Sequence, residues 1–435
     1  MKARLPGLLA IAALLVGCES AVPVEPFPAA PGQVDGLPLP ADPTASRPLR
    51  EKAGVPRPSW SSLVKQGRAH LKRGEFADAE DSFTHAYDLA RGFHDGDPRT
   101  TANYRNLERV AAAYLAAGDS VSFARMMELL VFVSSEVPSA RNAELARLLQ
   151  QLATTRSLQA RPAEARDALL LALEILETEL GAEHTAMVGL HSQLGLTHIE
   201  LNELELAEVE IEKASQIALA REDPPGPLYA KSLTMRSRLE LARGNLDEAR
   251  SALTSAVDLN EKHFGSEHAA TARVVREFAL LEQQAGEHQA AEMHFDRAIS
   301  IWDAIPNEHY QRAQSRNELA WFLVEIGQPE RAEAPARSAL GMLEERDVAG
   351  QPFAAIADTL ATALRDQGKH EEAESLYREA LEEGTLPSGL AGWDLVAIAD
   401  RYATLLERTQ RAAEADELRR RWRTAIPEDP TSEAP

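Results

Sequence analysis

Residues 368–380 read GKHEEAESLYREA, and related 13-residue segments recur along the chain at almost constant spacing. Clear copies begin at residues 74, 244, 286 and 327, and weaker copies begin at 119, 160, 202 and 410. Every copy has an alanine at its sixth position, and successive alanines lie 41 to 45 residues apart. These alanines are Ala79, Ala124, Ala165, Ala207, Ala249, Ala291, Ala332, Ala373 and Ala415. Such regular spacing indicates a repeat protein, in which stacked repeats share one core.

The pattern inside each copy predicts a helix. In residues 368–380 the small and apolar positions His370, Ala373, Tyr377 and Ala380 follow the spacing of one helical face. A second helical segment precedes each copy, and a glycine often separates the two and permits a tight turn. Each repeat is therefore predicted to be a helix, a turn and a second helix. The recurring small residues are expected to let neighbouring helices approach closely.

The repeats resemble the tetratricopeptide repeat. In the first copy the family pattern is met by Gly67, Gly74, Phe76, Ala79, Phe83 and Ala86. Segments 180–188 (LGAEHTAMV) and 264–272 (FGSEHAATA) resemble the linker of the 42-residue variant typified by kinesin light chain. The second copy fits poorly, and Pro162 and Pro329 replace the usual aromatic residue in two others. The resemblance covers residues 60–423 and implies an all-α fold, a right-handed α-solenoid of about nine repeats.

The N-terminal residues 1–18 read MKARLPGLLAIAALLVGC and predict an exported protein. A short basic start followed by an apolar run is typical of a signal peptide and is too short to span a bilayer. Residues 15–18 resemble the lipobox of bacterial lipoproteins, which implies removal of residues 1–17 and attachment of acyl chains such as palmitate to Cys18. Because Cys18 is the only cysteine, no internal disulfide is expected. The alternative is a chance cysteine in an ordinary signal, and Glu19 favours the outer membrane.

The segments that flank the repeats are predicted to lack a packed core. Residues 18–59 form a proline-rich tether with ten prolines between residues 21 and 59, which favours extended polyproline II structure. Residues 424–435 are predicted to be a disordered acidic tail. The formal net charge of −22 disfavours binding to nucleic acid. No segment of the sequence is predicted to span a membrane.

No spacing typical of an active site or a metal site is found in the sequence. His191 and His198 lie seven residues apart on one predicted helix, which is too far for a shared metal ion, so a packing or surface role is expected. Adjacent Glu and His residues recur at the entrance of repeats, at positions 183–184, 267–268 and 308–309, and predict a linker or capping role. The arginine-rich segment 419–423 is expected to solvate the end of the array; the alternative is that it binds an acidic surface. We therefore predict no enzymatic activity, no metal and no cofactor.

A partner surface is predicted from the resemblance, because first helices of tetratricopeptide repeats line a concave groove. Each first helix has a small residue near its middle. The residues three positions before it form a polar column: Gln150, Ser192, Thr234, Arg276, Asn317, Asp358 and Asp400. One residue after it lie Thr154, Leu196, Arg238, Leu280, Trp321, Thr362 and Thr404. We expect the polar column to be solvated.

The predicted groove residues are Lys231, Arg238, Arg273, Arg276, Asn317 and Trp321. Arginines bind carboxylates through paired hydrogen bonds, and an indole supplies an apolar anchor, so the expected partner is an acidic or C-terminal peptide segment. Alternatively, the arginines pair with Glu240, Glu277 or other neighbouring carboxylates.

Together these features predict a lipid-anchored scaffold of the bacterial cell envelope, held at the outer membrane and facing the periplasm. It would bind envelope proteins or peptides, and its only attached group would be the lipid on Cys18. The alternative is a sensor that binds a small ligand or peptide and signals through the array. A sensor predicts a ligand-induced shift in melting temperature of the domain alone, whereas a scaffold predicts a shift only with its protein partner.

Overall fold

The computed structural model describes residues 58–93, 97–117, 119–136, 142–346, 351–384 and 393–424. All regular secondary structure in these ranges is helical. The helices are α1 (Trp60–Arg73), α2 (Phe76–Ala90), α3 (Pro98–Ala116), α4 (Ser120–Glu136), α5 (Ala143–Leu158), α6 (Pro162–Leu180), α7 (Ala186–Glu200), α8 (Leu204–Arg221), α9 (Pro227–Arg243), α10 (Leu246–Phe264), α11 (Ala269–Ala285), α12 (His288–Ala304), α13 (His309–Glu325), α14 (Pro329–Glu344), α15 (Gln351–Asp366), α16 (His370–Glu383), α17 (Trp393–Arg408) and α18 (Ala412–Thr424). Cys18, the predicted signal peptide and nearly all of the predicted tether and tail lie outside the described residues.

Consecutive helices form helix-turn-helix repeats, as predicted. An odd-numbered helix is the first of its repeat, and the following even-numbered helix is the second. The chain divides into two compact units, residues 1–190 and 191–435, with the boundary inside α7. Within each unit the two helices of a repeat pack together, and second helices pack against the next first helix. Among the described helices, none combines the length and the apolar composition needed to cross a membrane.

The turn inside each repeat is the same hydrogen-bonded motif. In every repeat the N–H of the residue before the second helix donates to a carbonyl five residues earlier, at 2.8 to 3.0 Å. This is the six-to-one bond of a Schellman turn, which satisfies a helix-end carbonyl. The donors are Glu75, Asp119, Arg161, Glu203, Asn245, Glu287, Gln328, Lys369 and Arg411. The motif needs a left-handed residue just before the donor. Glycine has positive φ there in five described repeats, and Ala160, Asn202 and Gln410 take the same conformation at this position in three others.

The nine anchoring alanines are all buried, with at most 4% of their surface exposed. In two repeats a glycine of the first helix lies against a large side chain of the second helix. An added Cβ on Gly67 would lie 2.7 Å from the Phe83 ring, and one on Gly195 would lie 2.7 Å from Ile211 Cγ1. In these two repeats the helices approach so closely that only glycine fits, in agreement with the expectation that small residues permit a close approach.

The two departures from the family pattern have a local explanation. Pro162 and Pro329 are the first residues of α6 and α14. A proline is accommodated there because the N–H of the first helical residue has no partner within the helix.

The predicted capping role of the Glu-His pairs is confirmed for His184 and His268 and is wrong for the side chain of Glu308. His184 Nδ1 accepts from the Ala186 N–H at 3.1 Å, and His268 Nδ1 accepts from the Ala270 N–H at 3.2 Å. Glu308 occupies the N-cap of α13 without a side-chain capping bond. The imidazole nitrogen reaches the free N–H two residues on, so it replaces the expected carboxylate.

The close contact at the anchoring alanines yields a stability prediction. Replacing Ala249 with leucine is expected to lower the free energy of unfolding by about 1–3 kcal/mol, because the larger side chain overpacks a fully buried site. Ser255→Leu is the control on the same helix, since Ser255 is exposed, and it should change stability by less than about 0.5 kcal/mol. Urea denaturation of the full chain measures both. Equal effects of the two substitutions would contradict the assigned packing.

Candidate functional site: the polar column of the first helices

The polar column is more buried than the sequence analysis expected. Ser192, Thr234, Arg276 and Asp358 each expose less than 9% of their surface, while Gln150, Asn317 and Asp400 are half-buried. The prediction of a solvated column is therefore wrong for most positions. The reason is that neighbouring first helices also meet one another, as α9 and α11 or α13 and α15 do. Arg276 and Asp358 bond to the next first helix, whereas Thr234 donates to the Ala230 carbonyl of its own helix.

Arg276 on α11 is held by two carboxylates. Its Nε lies 2.7 and 2.8 Å from the carboxylate oxygens of Glu318 on α13, and its Nη1 donates to Glu277 at 3.2 Å. Burial by itself would lower the pKa of Arg276, but the negative charges of Glu318 and Glu277 hold that pKa above its ordinary value. The guanidinium thus stays charged inside the array, which is stable only while both acids remain in place.

Arg238 on α9 joins the same network. Its Nη2 and Nε donate to one oxygen of Glu277 at 2.7 and 2.9 Å. Arg238, Glu277, Arg276 and Glu318 thereby link three successive first helices of the second unit. For Arg238 and Arg276 the structure realises the predicted alternative, in which the arginines pair with neighbouring carboxylates.

Three polar atoms beside this network have no hydrogen-bond partner among the described residues. They are the donor Arg276 Nη2 and the acceptors Gln314 Oε1 and Asn317 Oδ1. The other end of the Gln314 amide donates to Glu318 at 3.0 Å. A group that both accepts and donates, such as a water molecule or a peptide amide, would complement this set.

The remaining predicted groove residues are not gathered into one patch. Arg273 is exposed and makes no ion pair with any carboxylate in the described ranges, whereas Lys231 is half-buried. Trp321 is half-buried; its Nε1 donates to Glu325 at 2.8 Å, and Arg401 lies 5.4 Å from its ring centroid. The structure therefore brings Arg238 and Arg276 together through Glu277, and places Trp321 in a separate cluster.

The column pairs follow a register. Each first helix has a small residue near its middle. In two cases the residue three positions before this small residue bonds to the next first helix, at the position two residues before the small residue of that helix. The pairs are Arg276 with Glu318, and Asp358 with Arg401 at 2.6 Å, with the charges reversed. The register is a property of the stacked helices, because the same two positions meet in both places.

Comparison with known proteins identifies the repeats. Profiles described as tetratricopeptide repeats match residues 264–345, and residues 230–270 and 353–383. The chain contains tetratricopeptide repeats. The matched residues lie in the second unit and include the network built on Arg238 and Arg276. No curated protein matches the chain.

Several solved structures are similar to the chain at low identity. A Rap protein crystallised with competence and sporulation factor is 12% identical, covers 84% of this chain and 97% of its own, and gives a TM-score of 0.45. A putative kinesin light chain from Podosopora anserina is 19% identical, covers 46% and 95%, and gives 0.38. A tetratricopeptide repeat protein from Parabacteroides merdae is 19% identical, covers 70% and 98%, and gives 0.37.

His191 and His198 each contact a glutamate carboxylate of the same repeat. His191 Nδ1 lies 2.6 Å from Glu210 Oε2, and His198 Nδ1 lies 2.6 Å from Glu203 Oε2. Burial by itself would raise the pKa of Glu210, but hydrogen bonds from His191 and Lys213 hold it below its ordinary value. The expected packing role of both histidines is confirmed.

One cluster in the first repeat has ligand atoms close enough for a metal ion: His70, Glu75 and Asp78. His70 Nδ1 already lies 2.6 Å from Glu75 Oε2, and the Arg73 guanidinium donates to the same carboxylate at 2.6 Å. A cation already stands against the acid, so the cluster is an ion pair at the turn.

The C-terminal arginines also contact carboxylates. Arg419 pairs with Glu407 and lies 3.3 Å from Asp400, and Arg420 pairs with Glu417 at 2.6 Å. These contacts agree with the interpretation that the segment solvates the end of the last repeat.

The sequence analysis missed one member of the column. In the poorly fitting second repeat, Ala111 is the small residue of the first helix, since it lies eight residues before Asp119 as Ala279 lies before Glu287. The column residue is then Glu108 on α3, which is 7% exposed. The spacing of the turn would have located it, but the weak match of this copy hid the register.

The buried network predicts a contrast between two arginines on α11. Arg276→Ala should lower the free energy of unfolding by about 3–5 kcal/mol, because Glu318 loses its main partner inside the array. Arg273→Ala, three residues away on the exposed side, should change it by less than about 0.5 kcal/mol.

Chemical denaturation of the full-length protein measures the contrast. The double variant Arg276→Met, Glu318→Leu is the control, since replacing both charges by apolar side chains should recover most of the lost stability. An Arg276→Ala variant as stable as the parent would show that the pair does not form.

Proposed function

We propose that the protein is a lipid-anchored adaptor of the bacterial cell envelope that holds a protein or peptide partner on the first helices of its tetratricopeptide repeats. Repeat arrays of this kind are protein-interaction scaffolds, because their stacked helices present an extended surface. The observation that carries the proposal is the position of Arg273. It is an exposed arginine one turn before the buried Arg276 network, in a chain whose net charge is −22.

The burial of the column changes how a partner would be recognised. Arg238 and Arg276 are occupied by Glu277 and Glu318, so they set the spacing of the helices. Contact with a partner then falls to the outer turn of the same helices, where Arg273 and Tyr310 are exposed. A carboxylate from an acidic or C-terminal segment suits Arg273, because a guanidinium binds a carboxylate by two parallel hydrogen bonds.

The membrane part of the proposal is supported by the N-terminal sequence alone. The basic start, the apolar run and residues 15–18 are in the order that a bacterial lipoprotein signal requires. Several acyl chains on Cys18 would anchor the protein firmly, because a single chain gives only marginal membrane binding. The proline-rich segment 18–59 would separate the repeats from the bilayer.

The anchor predicts where the protein is found in cells. Wild-type protein should incorporate labelled palmitate and fractionate with outer membranes, whereas Cys18→Ser should lose the label and leave the membrane fraction. Glu19→Asp is the matched control, since it preserves the acceptor cysteine and should keep the label while moving the protein toward the inner membrane. Unlabelled wild-type protein would refute the lipoprotein assignment.

The partner surface predicts the effect of one charge reversal. Arg273→Glu should reduce recovery of cross-linked partner about tenfold, which corresponds to a loss of about 1.4 kcal/mol in binding. It should leave the thermal midpoint unchanged, because Arg273 is exposed. Lys262→Glu is the control, since Lys262 is an exposed cation on the second helix α10.

Affinity purification from mildly cross-linked cells provides the measurement. Equal partner recovery from the Arg273→Glu and wild-type proteins would overturn the assigned surface. If the protein is instead a small-ligand sensor, no protein should be enriched with the wild-type protein or with the Arg273→Glu variant.

A further inference from the structure

The first unit has an open cavity between the first helices of its second and third repeats. Its volume is about 460 Å³, and α3 and the N-terminal end of α5 line it. The residues that matter here are Tyr104, Arg105, Glu108, Arg109, Asn142 and Glu144. The cavity thus lies against the column residue of the second repeat, Glu108.

Glu108 is a buried carboxylate without a cation. It is 7% exposed, and its hydrogen bond comes from Asn142 Nδ2 at the long distance of 3.5 Å. No lysine or arginine in the described ranges forms an ion pair with it. By contrast Asp358, at the same register position, pairs with Arg401 of the next first helix.

The described residues of α5 supply no cation to Glu108. Glu318 pairs with Arg276, and Arg401 pairs with Asp358. Both partners lie two residues before the small mid-helix residue of their own first helix. On α5 the small residue is Ala153, so this position is Gln151. Gln151 is a neutral residue, and the side chain that reaches Glu108 from this end of α5 is Asn142, also a neutral amide, which lines the cavity. Neither position supplies a cation.

A second group in the cavity also lacks a partner. Tyr104 lies one turn before Glu108, is fully buried, and its hydroxyl has no hydrogen-bond partner in the described part of the chain. A hydroxyl oxygen and a carboxylate are acceptors, so together they suit a ligand that donates several hydrogen bonds. An ammonium or guanidinium group does so and also neutralises Glu108.

Among the described charged residues near the cavity, Glu108 is the one available to neutralise a bound cation. Glu144 is exposed and pairs with Arg147 at 2.6 Å, which neutralises it locally. Arg105 and Arg109 are exposed, so water and salt screen their repulsion toward a bound cation. Burial raises the pKa of Glu108 to about 7, and the negative charge of Glu144 adds to the rise. The hydrogen bond from Asn142, the nearby Tyr104 hydroxyl and the charge of Arg105 oppose it.

We infer that the cavity between α3 and α5 binds a cationic group, the ammonium of a lysine or the guanidinium of an arginine, with Glu108 as counter-ion and the Tyr104 hydroxyl as second acceptor. A partner segment lying along the first helices would supply this side chain, and in that form the inference rests on the proposed function. A free amine would supply the same chemistry.

Binding should depend on pH in a defined direction. A carboxyl group with a pKa of about 7 is neutral below that pH and charged above it. The lysine ammonium stays charged throughout, with an ordinary pKa of about 10.4. Affinity for a lysine ligand should therefore rise about tenfold between pH 6 and pH 8, as the ionised fraction of Glu108 rises.

The test measures binding of the blocked pentapeptide Gly-Gly-Lys-Gly-Gly to the full-length protein by calorimetry at pH 6 and pH 8. The same peptide with norleucine in place of lysine is the uncharged control, and n-butylammonium tests the free-amine source. We expect the lysine peptide to bind and the norleucine peptide not to bind. Binding of n-butylammonium as tightly as the peptide would assign the cation site to a free amine.

Three variants locate the site. Glu108→Gln keeps the shape of the side chain and should weaken binding at pH 8 at least tenfold and remove its pH dependence. Tyr104→Phe removes the hydroxyl and should weaken binding about threefold to tenfold, in the range of one lost hydrogen bond. Glu144→Gln should have little effect, since that carboxylate is exposed and paired.

The inference is overturned if Glu108→Gln binds the lysine peptide as tightly as the parent, or if the parent binds no cationic probe. Its failure is separable from failure of the proposed partner surface, because Arg273 lies in the second unit. Loss of lysine binding with partner recovery intact refutes only the cation site. The reverse result refutes only the surface at Arg273.

Discussion

The close approach of paired helices at small residues is the constraint on which the rest of the structure depends. Each repeat has a fully or almost fully buried alanine on its second helix, and in two repeats a glycine on the first helix leaves no room for a Cβ. One repeat cannot bury these faces alone, so stacking of neighbours completes the core. The anchoring alanines recur every 41 to 45 residues in the sequence because each repeat makes this contact once.

The same close approach accounts for the chemistry of the first helices. Polar column residues are pressed against the next first helix, and a buried charge there requires an opposite charge from its neighbour. Arg276 with Glu318 and Asp358 with Arg401 meet this requirement in opposite polarity. Glu108 does not meet it, because the side chain that reaches it from the next repeat is the neutral amide of Asn142. An unpaired charge at a position that is elsewhere paired is therefore the most specific indication of a ligand in the described part of the chain.

The fold could be predicted from the sequence because the anchoring alanines, such as Ala249 and Ala373, follow a local rule that repeats along the chain. Whether the polar column is exposed to water could not be predicted from the sequence. Whether Arg276 faces water or Glu318 depends on how far two first helices stand apart, and that distance is set by packing of side chains from different repeats. Glu108 was missed for a related reason, since the second repeat lacks the usual pattern and its register is visible only through the turn at Asp119.

The central claim is that partners bind the first helices of the repeats. Hydroxyl-radical footprinting of the full-length protein, with and without its purified partner, tests it most directly. Tyr310 on the first helix α13 and Met293 on the second helix α12 are exposed by 39% and 59% and serve as reporters. The account predicts that the partner protects Tyr310 and leaves the oxidation of Met293 unchanged. Protection of Met293 with Tyr310 still fully reactive would contradict it.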